Sequence, residues 1–142
     1  MIFEIQLILL LIREGTCSII NYNTLNDIFM LRFSELTSFF KEQFDFWESD
    51  NIPQHCFLGD ILNSYVTELL RKNNNKQQIE KVFEFYEEMA NSNDWYVKNL
   101  LQVTLLEYLW DEKIIFERAV EYMLPETKKI NALIVEYLRE PK

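Results

Sequence analysis

The chain has 142 residues, 49% of them apolar, which suits one domain with a substantial core and argues against wholesale disorder. Its 23 acids against 14 bases leave a formal charge of −9, a field that repels phosphate backbones and anionic membranes. Direct nucleic-acid or membrane binding is therefore disfavoured and a basic protein partner favoured, although the same charge also keeps a small protein soluble.

Only two glycines and three prolines punctuate the chain, too few for the turns of an all-β fold, and no regular β-branched runs mark a β-α-β one. The expected class is all-α. The opening, Met1 to Gly15, holds an apolar run from Ile5 to Ile12 that is far shorter than the roughly 20 residues needed to span a bilayer. Glu4 stands where a secretory signal would be basic, so the run reads as a buried first helix or strand. A start at Met30 is the alternative. Residues 1–29 are accordingly set apart as an N-terminal segment, and 30–142 as a single all-helical domain.

From Ser34 the periodicity is clear. A helix capped by Ser34 turns Leu36, Phe39, Phe40, Phe44 and Trp47 to one side. Pro53 suits the first turn of the next, which runs to Lys72 and buries Phe57, Leu58, Ile61, Leu62, Tyr65, Val66 and Leu69. Gly59 lies off that stripe as an ordinary weak point of a helix. The run Asn73-Asn74-Asn75 reads as a loop. Gln77 to Ala90 follows, with Ile79, Val82, Phe83, Tyr86, Met89 and Ala90 inward. After a polar turn ending in Asp94, the stretch to Trp110 is apolar on nearly every side, so a surrounded, central helix is expected. Two shorter helices complete the pattern. Lys113 to Met123 buries Ile115, Phe116, Ala119, Tyr122 and Met123; Thr127 to Glu140 buries Ile130, Leu133, Ile134, Tyr137 and Leu138. About six helices with short loops suit a HEAT-like hairpin stack or an antiparallel bundle.

No catalytic, cofactor or metal signature is found. Cys17 and Cys56 fit no metal spacing and read as reduced packing residues of a cytoplasmic protein. The sole histidine, His55, has no glutamate three residues before it, as a di-iron bundle requires. His55 and Cys56 are adjacent on a helix and diverge by about 100°, which disfavours nucleophilic chemistry; a small enzyme using His55 and Asp60 would need both in one deep pocket.

The candidate binding face is acidic. Glu80, Glu84, Glu87 and Glu88 are helix neighbours whose charges repel, with Lys81 the nearby relief. Phe85 at the edge of this face, off the apolar stripe, would add an aromatic anchor. Glu107, Asp111 and Glu112 form a second group. From Glu80 to Glu112 there are eight acids against two bases, a net −6 and two thirds of the total charge, so a basic partner is expected to dock there. A solvated helix face is the plain alternative.

The polar turn with Asp94, then Val97-Lys98 and Leu100-Leu101, resembles the second helix of a HEAT-type hairpin. Over Ile79 to Trp110, the pattern Phe-Tyr-Glu-Glu-Met-Ala, polar turn, Val-Lys-Asn-Leu-Leu and Leu-Leu-Glu resembles a family of small acidic all-helical bacterial proteins of unknown function, with the likeness extending from about Met30 to the C-terminus. That resemblance implies an immunity protein that neutralises a basic toxin by occlusion, and it carries no catalytic residues. A phage-encoded inhibitor of a host defence nuclease, a HEAT-like structural adaptor and a homo-oligomer subunit are the alternatives.

Overall fold

The computed structural model describes residues 20–36 and 54–139, with side chains described as far as Ile134. Most of the helix expected from Ser34 to Trp47 lies outside them, as do the opening run, Cys17, Pro53 and the side chains of Tyr137 and Leu138. Among the described residues the fold is an all-α bundle without strands. Helix α1 is Leu25–Arg32, followed by a single 3-10 turn at Ser34–Leu36. Helix α2 runs in three successive pieces, Gln54–Leu58, Gly59–Asn63 and Ser64–Lys72. Helix α3 is Lys76–Ala90. Helix α4 is again in three pieces, Trp95–Leu100, Leu101–Leu106 and Glu107–Asp111. Helices α5 (Lys113–Tyr122) and α6 (Pro125–Arg139) close the described chain. No helix among these residues is long and apolar enough to cross a membrane.

The asparagine run closes one helix and opens the next. Asn73 takes a left-handed conformation, φ 49°, which asparagine tolerates better than most residues, and its N–H donates to the Leu69 carbonyl. Two residues on, the Asn75 side chain accepts from the Gln78 N–H as the cap of α3. At the other end of the chain, α6 begins at Pro125 rather than Thr127. Proline's preset φ and missing N–H suit a first helical position.

Helices α2 and α4 each carry a long row of buried residues that would drift around a regular helix. The buried residues Leu58, Leu62, Val66 and Leu70 of α2, and Val97, Leu101, Leu105 and Leu109 of α4, recur at strict intervals of four. At about 100° per residue, each such step overshoots a full turn by about 40°. A widened i→i+5 turn takes up the excess, at Gly59–Asn63 in one helix and Leu101–Leu106 in the other. This is why Leu70 is buried where Leu69 was expected.

The two widened turns face each other. Asn63 Nδ2 donates to the Thr104 carbonyl at 3.0 Å, and His55 Nδ1 lies 2.7 Å from Thr104 Oγ1. A Cβ on Gly59 would stand 3.1 Å from Thr104 Cγ2, so this glycine permits a close helix approach and is more than a weak point.

Helix α4 is central, touching α2, α3, α5 and α6. It is not surrounded, however: Trp95, Tyr96, Val103 and Tyr108 are exposed. Leu133 of α6 is 53% exposed, and the buried positions of that helix among its described side chains are Thr127, Ile130, Asn131 and Ile134. Ile130 and Ile134 face inward as expected, and in place of Leu133 the Asn131 side chain turns inward and accepts from Trp110 Nε1. Cys56 is exposed, not packed, because it falls between the inward-facing residues of α2.

The N-terminal boundary expected between residues 29 and 30 falls inside α1. Leu25, Ile28 and Phe29 of this helix, and Phe33 after it, are fully buried. Ahead of α1 a hydrogen-bonded knot ties residues 20–22 to the turn between α3 and α4. Ser92 Oγ donates to the Ile20 carbonyl at 2.6 Å, and Asp94 Oδ2 accepts from the Tyr22 N–H at 2.8 Å.

Candidate functional site

A groove with a cavity of about 440 Å³ runs between α1 and α3. The buried rings of Phe33 and Phe85 line it, Leu124 of the α5–α6 link adds exposed apolar surface, and Arg32, Lys81, Glu84, Glu87 and Glu88 supply its charges. Four of the residues expected to bind a partner are therefore brought together here. Their roles differ from the expected ones.

Phe85 is the clearest correction. It is 1% exposed, with its ring 5.7 Å from Phe29 and 5.6 Å from Phe33, the latter edge-on. Helix α1 covers the angle on α3 that the apolar stripe left open, so Phe85 belongs to the core and its ring cannot be an exposed anchor.

Glu87 is occupied as well. Its Oε1 accepts from the Thr127 N–H at 2.8 Å and from Thr127 Oγ1 at 2.9 Å, and its Oε2 accepts from the Glu126 N–H at 3.0 Å. These are free donors of the first turn of α6, so Glu87 caps that helix from α3 and sits at the favourable end of its dipole. Glu88 forms a two-pronged ion pair with Arg32, with Nη1 on Oε2 and Nη2 on Oε1. Burial lowers the Arg32 pKa, and the nearby charge of Glu84 opposes that shift.

Lys81 turns to Glu35 at 2.9 Å and lies over the Phe33 ring at 4.9 Å from its centroid. Glu80 is exposed and 3.8 Å from Lys76. Glu84 is exposed at the groove and has no hydrogen-bond or ion-pair partner among the described residues. The groove thus retains one exposed carboxylate that makes no direct ion pair among the described residues, with exposed Leu124 lining the same groove.

The second acidic group lies elsewhere. Asp111 and Glu112 line a separate hollow of about 110 Å³ with Thr67 and Tyr108, and share no lining residue with the groove. Glu112 pairs with Arg71 at 2.8 Å, while Glu107 is half-buried in α4. His55, bonded to Thr104, has no described hydrogen bond to Asp60, which is exposed. Among the described residues, no group of three or more His, Cys, Asp or Glu side chains could hold a metal ion.

The apolar reading of α4 concealed another feature. Trp95, Tyr96, Tyr22 and His55 form a continuous row of rings, with successive centroids 5.3, 5.8 and 6.1 Å apart. Asp94 Oδ1 accepts from the Tyr96 N–H and Oδ2 from the Tyr22 N–H, so one carboxylate fixes the backbone at both tyrosines. Asp94 before an aromatic pair is visible in the chain, but the arrival of Tyr22 from 72 residues away is not.

These features define a small all-α domain with an acidic, aromatic-lined groove and no recognisable catalytic constellation among its described residues. Residues 26–139 match the model of a family described as a domain of unknown function, DUF7674, and the chain belongs to that family. No curated protein and no solved structure matches it.

Proposed function

We propose that this chain is a non-enzymatic, cytoplasmic protein-binding module whose partner is basic, and that it acts as an immunity protein, neutralising a toxin by occlusion. The supporting observation is Glu84, a carboxylate without an ion-pair partner among the described residues, at a groove lined by Phe33, Phe85 and Leu124. A lysine or arginine entering there meets a carboxylate that makes no direct ion pair among the described residues, and its aliphatic stem meets the exposed Leu124. Glu80, one turn earlier on α3, extends the attraction, and the net charge of −9 steers a basic partner from a distance.

Glu87 and Glu88 act in this reading as supports of the groove walls. Asp111 and Glu112, at a separate hollow, add to the long-range field only. The double reversal Glu80→Lys/Glu84→Lys tests the reading in a pull-down from native lysate at low salt. A basic protein retained by the wild-type chain is expected to be lost from the variant. An identical set of retained proteins would remove the groove from the interface.

A further inference from the structure

We propose that the aromatic row at the start of α4 is a second contact for the same basic partner, and that it takes arginine side chains across the faces of Trp95, Tyr96 and Tyr22. The proposal rests on the basic-partner reading above. Trp95 and Tyr96 are 65% and 60% exposed, the two most exposed large hydrophobic residues among those described. Trp95 packs edge-on to Tyr96 at 81° and Tyr96 is tilted by 52° to the half-buried Tyr22, so the rings form an open row, not a closed stack. Ring faces carry the negative end of the aromatic quadrupole.

The row is also pre-positioned. Asp94 holds the backbone of Tyr22 and of Tyr96 through separate carboxylate oxygens at 2.8 and 2.9 Å. Ser92 adds its own link to Ile20. The backbone that carries Tyr22 and Tyr96, fixed in this way, loses little freedom when a ligand settles on the rings.

Charge selects the occupant. A second copy of the chain would bring −9 against −9, whereas a cationic segment is drawn in by the same field. Among cations, a guanidinium offers a flat, weakly hydrated face that stacks on aromatic rings. A lysine ammonium is a compact and strongly hydrated charge. Lys98, one turn beyond Trp95 on the same face of α4, is the positive charge that an incoming arginine must pass.

Calorimetric titration of the full chain with nona-arginine and nona-lysine peptides at low salt tests this. The wild type is expected to bind the arginine peptide about fivefold more tightly. The double variant Trp95→Ala/Tyr96→Ala should remove that preference, and Trp95→Phe/Tyr96→Phe, which keeps the ring faces, should retain it. Glu80→Lys/Glu84→Lys should weaken both peptides alike and leave the preference intact.

If the alanine variant keeps the full arginine preference, the row is not the contact, and the groove reading stands or falls separately on the charge-reversed variant. If charge reversal leaves both affinities unchanged, the groove reading fails while the preference still decides the row. Dimerisation in sedimentation that the alanine variant abolishes, without any arginine preference in the wild type, would overturn the proposal in favour of a second copy.

Discussion

The outer side of α3 and the first turn of α4 each invert what their residues suggest. On α3, carboxylates that read as free surface are largely engaged within the fold: Glu87 caps α6 and Glu88 clasps Arg32. On α4, Trp95 and Tyr96, which read as part of a surrounded helix, lie open to solvent. Helical spacing assigns a side chain an angle about its axis. It does not say whether another element arrives at that angle, and α1 arrives at Phe85.

The largest test of this contrast compares deletion of rings from the two regions. Phe85→Ala is expected to cost about 3–5 kcal/mol, because Phe29 and Phe33 cannot collapse fully into the space left behind. Tyr96→Ala should stay within about 0.5 kcal/mol, as for most exposed positions. Denaturant unfolding of both variants measures the difference, and equal losses would erase the contrast.

A smaller effect separates two glutamates on the same helix. Glu87→Ala removes the acceptor for three donors at the start of α6 and should cost about 1–2 kcal/mol. Glu84→Ala should change stability by less than about 0.5 kcal/mol. Thermal melts of the pair would sharpen the distinction between a carboxylate that serves the fold and one available to a ligand. Comparable melting losses would show that Glu84 is also structural.

The smallest effect concerns pH. Burial alone would raise the Glu35 pKa, but the bonds from Lys81 and Gln78 outweigh it and hold the carboxyl below its ordinary value. A group depressed in this way stabilises the fold fully above its unfolded pKa, and that contribution fades as pH falls through the folded one. Because the pair is substantially exposed, screening limits it to a few tenths of a kcal/mol. Glu35→Gln should therefore flatten the acid side of the stability profile slightly, visible in melting temperatures taken from neutral pH downward. A steeper acid decline in that variant would contradict the assignment.

Much of the architecture was legible from local pattern. The helical class, the loop at Asn73 to Asn75, the start of α5 and the six inward residues named for α3 all follow from spacing and turn chemistry, which act within a few residues. What escaped depended on distant segments. Nothing near Phe85 announces Phe29, and nothing near Asp94 announces Tyr22. One missed signal was local: the repeated four-residue interval from Leu58 to Leu70 and from Val97 to Leu109 already departs from regular helical winding. The groove was half legible, since its acids and Lys81 were visible as a cluster, but Arg32, which changes its charge balance, comes to it through the packing of α1.

The widened turns at Gly59–Asn63 and Leu101–Leu106 make α2 and α4 unequal in their tolerance of two kinds of genetic change. Substitutions on their outer sides leave the winding untouched. The widened turn can shed its extra residue and leave the later residues in place, whereas removing one from a regular turn of either helix would swing everything beyond it by roughly 100°. Leu70 or Leu109 would then leave the interior together with its whole row. Lineages of this protein should therefore vary in length at the links between helices and at these two turns, and keep the regular spans of both rods constant.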